Sequence, residues 1–238
     1  MQFQSSYTWA KVIDEPQGQT SGASTLKDPS NRKSDRGVAA FDVSHNWRFN
    51  SIYRLPNLVD GGGVAGALLN GWQMSGILSL QTGYPLNINV GSNRSSSGVL
   101  GGVEFDRPDL APGVKAADIT SGNTAGCRNI PAGRLGTADR WFDPCAFVEQ
   151  PVGFLGNAGR NIVRGPGLAN VDFSVRKNTP LRFLGESGSL EFRAEVFNIL
   201  NRVNFDLPDV NAFAATGGRI LSTVRESRQI QLALKIVF

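Results

Sequence analysis

Few residues in this chain are of a type that does chemistry, and their spacing decides against most of it. Cys127 and Cys145, in GCRNI and DPCAF, are the only two cysteines. Two thiols can form a disulfide, stay free or share a metal. A zinc site wants four ligands, and no nearby histidine supplies one. His45 is the sole histidine. A general base needs a nucleophile and an orienting carboxylate beside it. Asp42 and Ser44 are close in sequence, but on an extended chain they take the opposite face, so His45 is read as structural. Glu191, Arg193 and Glu195 share one face, as do Asp172 and Arg176. Paired carboxylates would suit glycoside hydrolysis, yet the interleaved arginines read as a salt-bridge ladder between strands. The glycine runs at 61–63 and 98–103 lack the Lys and Ser/Thr of a phosphate loop. The acidic segment 103–113 lacks the ligand spacing of an EF-hand. The expectation is no catalytic residue, no metal and no cofactor, so the chain is not read as an enzyme.

The elements that hold these residues are two-faced strands. In RQIQLALKIVF (228–238), Ile230, Leu232, Leu234, Ile236 and Phe238 alternate with Gln229, Gln231, Ala233, Lys235 and Val237. Alternation of this kind puts one set on each side of a strand. It recurs at Leu190, Phe192, Ala194 and Val196, and at Ala169, Val171, Phe173 and Val175. Trp72, Met74, Leu78, Leu80, Tyr84, Leu86, Ile88 and Val90 continue it, as do Phe41, Val43, Trp47, Phe49, Tyr53 and Leu55, and Phe3, Tyr7 and Trp9. The pattern predicts strands near 2–10, 40–55, 71–90, 168–178, 189–204 and 228–238.

A tilted strand crosses a bilayer in about 9–11 residues, and these six are of that length or longer. Their connections alternate, long near 11–39, 91–166 and 207–226, and shorter between. Membrane barrels have long loops outside the cell and short periplasmic turns. The parity predicts one all-β unit over 1–238, an antiparallel up-and-down transmembrane β-barrel with long extracellular loops. Trp9, Tyr53, Trp72 and Tyr84 fall near strand ends on the apolar face, where an interfacial aromatic girdle belongs. The same four would serve as ordinary core aromatics. Six strands leave two open edges in hydrocarbon, where unpaired backbone groups each cost several kcal/mol. The expectation is a partial barrel: a fragment, a split gene product or a subunit. The start MQFQSSYTWAKV lacks the basic end and apolar core of a signal peptide, so an export signal is expected upstream. The net charge is +4, but the basic residues are scattered and no nucleic-acid partner is expected.

Seven stretches resemble one family. They are SYTWAKVID (6–14), DRGVAAFDVSHNWRFNSIYRLP (35–56), LLNGWQMSGILSLQTGYPLNI (68–88), RWFDPCAF (140–147), GNAGRNIVRGPGLANVDFSVRKN (156–178), SLEFRAEVFNILNRVNF (189–205) and RQIQLALKIVF. In order, they resemble the C-terminal part of TonB-dependent outer-membrane receptors. The likeness is in particular to the Oar-like group that carries an N-terminal carboxypeptidase-regulatory-like domain. The resemblance implies a barrel of about 22 strands around a plug, driven by the TonB complex, with location in the cell outer membrane. It implies outer-membrane lipid, the barrel-assembly machinery and the rest of the barrel and plug as partners. It also implies that the last strand, with Leu232, Leu234, Ile236 and Phe238, is an outer-membrane assembly signal. The plug, the TonB box and most of the barrel lie outside this sequence. An exported protein favours a Cys127–Cys145 disulfide, and closing such a loop restricts the unfolded chain by about 3 kcal/mol. Trp141, Phe142 and Phe147 are expected to pack beneath the longest loop; the ligand-binding residues are left open. The competing reading is a soluble all-β carbohydrate-binding module whose apolar face is covered by a second sheet.

Overall fold

The computed structural model describes residues 1–15, 27–28, 30–60, 63–97, 106–128, 130–181, 183 and 185–238. Gly61, Gly62, the glycine run at 98–103, the start of the acidic segment (103–105) and most of 16–29 lie outside the described residues.

Period-two alternation becomes one sheet. Its strands are β1 (Gln2–Trp9), β2 (His45–Arg54), β3 (Trp72–Gln81), β4 (Leu168–Pro180), β5 (Ser189–Phe197) and β6 (Gln229–Val237). Each pairs antiparallel with the next in sequence, giving an open six-stranded meander with β1 and β6 at its edges.

The register keeps like side chains in rows. On one face run Phe3–Ser51–Gly76–Phe173–Val196–Ile230, Tyr53–Met74–Val175–Ala194–Leu232 and Trp72–Lys177–Phe192–Leu234. On the other run Ile52–Ser75–Ser174–Glu195–Gln231, Arg54–Gln73–Arg176–Arg193–Ala233 and Asn178–Glu191–Lys235. A one-residue slip between any two strands would mix the faces. No second sheet covers the apolar face among the described residues. Phe3, Tyr7, Trp9, Ile230, Leu232 and Leu234 on it are each more than 60% exposed.

All long connections leave one end of the sheet and all short ones the other. The short turns close on backbone bonds, Leu55 N–H to Trp72 at 2.9 Å, Asn178 N–H to Gly71 at 3.0 Å and Leu181 N–H to Gly188 at 2.7 Å. The first carries a single short helix, α1 (Val64–Leu69). Gly71 has φ +79°, and a Cβ there would run into the Asn178 carbonyl, so the turn needs glycine.

The apolar core lies outside the sheet, among the long connections. Leu86, Ile88, Ile119, Phe142, Ala146, Phe147, Ala158, Val163 and Ala212 form it. The segment expected to extend β3 to residue 90 therefore ends as a strand of the sheet at Gln81. Alternation continues through Leu86, Ile88 and Val90, but these side chains are buried in the loop core, and Leu86 pairs with Val163 instead. Gly83 turns the chain there, because a Cβ would strike the Gly165 carbonyl. Likewise 40–44 form a turn before β2, and 198–204 leave β5 through turns centred on Asn198 and Asn201, at φ 50° and 49°.

Candidate functional site

Two surfaces carry polar groups in an organised way: the cap built by the long connections, and the polar face of the sheet below it.

The cap is stitched by ions that are far apart in sequence. Asp14 pairs with Arg160, Asp35 with Arg107 and Asp42 with Arg164, each joining the first long connection (10–44) to the second (82–167). Asp35 and Arg107 are both buried, and a buried charge is tolerated only when paired and hydrogen-bonded. Asp42 also accepts from the Val12 N–H at 2.7 Å and the Ser44 hydroxyl at 3.2 Å. Burial pushes its carboxyl up. The Arg164 hydrogen bond, the Val12 N–H, the Arg164 charge and Ser44 outweigh this, and the net pKa falls below the ordinary carboxylate value.

The third long connection (198–228) joins through Arg128. Its guanidinium donates to the carbonyls of Pro144 at 2.9 Å, Phe147 at 3.2 Å and Ala212 at 3.3 Å, and lies 4.5 Å from the Phe213 ring centroid. Arg128 follows Cys127, which is disulfide-bonded to Cys145 with Cα atoms 5.6 Å apart. Cys145 lies in a 3-10 turn, Pro144–Ala146, capped by Asp143, whose carboxylate accepts the Cys145 N–H at 2.9 Å. Phe142 and Phe147 flank that turn, fully buried and edge to face at 6.1 Å. They fill the cap rather than face solvent. Trp141 is half-buried, and its indole donates to the Arg164 carbonyl at 2.7 Å.

Below the cap, the polar face carries a charge ladder. Glu191 accepts from Arg176 at 2.6 Å and from Arg193 at 2.9 Å, and Arg193 lies 3.7 Å from Glu195. Where this face meets the cap there is a cleft of about 370 Å³ lined by Asn170, Asp172, Asn198, Arg225, Glu226 and Gln229. Asp172 accepts there from the Asn170 side chain at 2.8 Å and the Asn198 N–H at 2.9 Å.

The asparagines of NILNRVN are working turn residues. Asn198 donates to the Arg202 and Glu226 carbonyls and accepts from the Arg202 N–H. Asn201 accepts from the Arg228 N–H at 3.0 Å, and buried Asn204 from the Ala169 N–H at 2.9 Å. These roles were not read from sequence. The available signal is that asparagine tolerates left-handed backbone and bonds locally.

His45 lies on the apolar face and shares a 2.8 Å hydrogen bond with the Tyr7 hydroxyl, away from Asp42 and Ser44. Trp9 and Tyr84 sit at the long-connection end, and Tyr53 and Trp72 at the short-turn end. Leu232, Leu234, Ile236 and Phe238 line the exposed apolar side of the last strand. Among the described residues no group of three His, Cys, Asp or Glu stands close enough to hold a metal ion.

A family model described as an outer membrane beta barrel domain matches residues 1–231. No curated protein and no solved structure matches the chain.

Proposed function

The chain belongs to the outer membrane beta barrel domain family, and on that premise we propose that it is the wall and loop portion of a TonB-dependent outer-membrane receptor. In this reading the apolar face meets lipid, the polar face lines the lumen, and the cap stands outside the cell as the ligand-facing surface. The chain supplies shape and recognition and catalyses nothing itself. A cylinder of about 22 strands surrounds a plug, with the remaining strands pairing at the free edges of β1 and β6. The barrel-assembly machinery engages the strand that carries Leu232, Leu234, Ile236 and Phe238.

The observation that carries the proposal is the division of six paired strands into one mainly apolar, exposed face and one mainly polar face that carries the charge ladder. Dimensions support it. The ten residues of β3 span about 30 Å along the strand, which at a tilt of about 40° is close to the ~25 Å apolar band of such barrels. The cap adds support: three long connections fold into one body at one end, as an external binding surface requires.

Two measurements test the proposal in cells. Protease added to intact cells is expected to cut the cap and spare the short turns, with the chain in the urea-resistant outer-membrane fraction. A soluble chain, as a carbohydrate-binding module would be, overturns it. Copurification with the TonB complex from energised membranes tests the receptor half. Outer-membrane insertion without any association with TonB would remove that half.

A further inference from the structure

The short-turn end carries apolar surface that neither the wall nor the cap uses. Helix α1 reads VAGALL and has no polar face. Val64 is 77% exposed and Leu68 62%. Leu58, before the helix, and Phe183, in the next short turn, are 62% and 81% exposed. Soluble turns between strands are polar for a physical reason: nothing is gained by presenting leucine and phenylalanine to water.

The position of α1 indicates what covers it. Trp72 belongs to the apolar row of the sheet, and its indole N–H donates to the Leu68 carbonyl at 3.0 Å. The helix end is thereby tied to the apolar side of the wall, continuous with Tyr53 and Met74. Lys177 stands in the same row. Its ammonium lies 5.2 Å from the Trp72 ring centroid and donates to the Asn70 carbonyl, at the end of α1. Lys177 is itself buried, so it braces the end of α1 against the wall, while Trp72 stands at the end of an apolar band, where Trp and Tyr concentrate at a bilayer's polar boundary.

We infer that α1, with Leu58 and Phe183, is a membrane-surface anchor. It lies in the boundary between headgroups and acyl chains of the leaflet at the short-turn end. The occupant is the bilayer itself, because Trp72, which holds the end of α1, stands in the row that the proposed function gives to lipid. The inference rests on that reading. An apolar helix held in the boundary fixes how deep the wall sits and resists tilting.

The test uses the chain in outer membranes fused with phosphatidylethanolamine and phosphatidylglycerol vesicles that contain a phospholipid spin-labelled near its headgroup. Single free cysteines, Leu68→Cys, Val64→Cys and Phe183→Cys, carry an environment-sensitive fluorophore while the native disulfide stays closed. Leu232→Cys reports the wall and Glu186→Cys reports water. The labels in α1 and at position 183 are expected to be quenched about twofold more by the spin-labelled lipid than by aqueous iodide, and the Glu186 label the reverse. Quenching by iodide alone places the helix in water and overturns the inference. Protection from both quenchers places it under another protein and also overturns it. Loss of lipid quenching at Leu232→Cys would instead overturn the lipid-facing wall on which the inference stands. Val64→Cys and Phe183→Cys lie on separate turns, so one variant that fails to assemble leaves the other to decide.

Discussion

Asp42 holds three partners with one carboxylate, and its chemistry sets a pH limit for the cap. It is closed off from solvent and holds Arg164, the Val12 N–H and the Ser44 hydroxyl. Its pKa is lower in the folded protein than the ordinary value. A carboxylate of this kind stabilises the fold fully above its unfolded pKa, and that contribution is lost as pH falls through the folded value. The cap is therefore expected to hold at neutral pH and to loosen below about pH 4, read as faster hydrogen exchange at the Val12 amide. Asp42→Asn keeps the shape but turns one acceptor into a donor beside Arg164 or Val12. Local stability is expected to drop by about 2 kcal/mol, and the acid-dependent part of the exchange at Val12 should disappear. An unchanged acid response would show that another carboxylate controls it. The ion pairs of the cap could not be matched from sequence. Asp35 and Arg107 are 72 residues apart, and Asp14 and Arg160 are 146 apart, and nothing local to either residue names its partner.

At the scale of the element, the wall strands make opposite predictions for adjacent residues. Leu232 and Gln231 are neighbours on β6, one in the apolar row and one opposite Glu195. Leu232→Arg is expected to cost about 2–4 kcal/mol in a bilayer. Gln231→Arg, facing a carboxylate across the strand pair, should be neutral or slightly stabilising. Urea titration in lipid vesicles measures both, and equal costs would mean that the two faces share one environment. In the cap, Cys127 and Cys145 close a loop over a sequence separation of 18. Reduction should therefore lower cap stability by about 3 kcal/mol, seen as protease cleavage between residues 113 and 145 while the wall stays intact. The strands were legible because alternation is written directly into each one. Their ends were not, since alternation shows that a segment has two environments without saying which. Leu86 and Ile88 keep the same rhythm as Leu78 and Leu80, yet they face a packed loop core. What separates the two groups is Gly83, whose close approach to Gly165 spans 82 residues of sequence.

For the whole molecule, the decisive question is what satisfies the outer edges of β1 and β6. Each edge strand uses one side of its backbone for its neighbour and leaves the other side's N–H and C=O groups unpaired within the sheet. In water those groups bond to solvent, and in hydrocarbon each costs several kcal/mol. Lipid on the apolar face and open edges are therefore incompatible, and further strands must complete the cylinder wherever this sheet spans a bilayer. The family resemblance names such a cylinder, but the backbone demand is independent of it. Hydrogen exchange in membranes separates the alternatives. The outward amides of β1 (Gln2–Trp9) and β6 (Gln229–Val237) are expected to be as protected as those of β3, which is paired on both sides. Protection confined to β2 through β5, with both edges exchanging at solvent rates, would mean that the edges meet water. The apolar face would then need a protein cover in place of lipid, and both the wall and the anchor drawn from it would fall together.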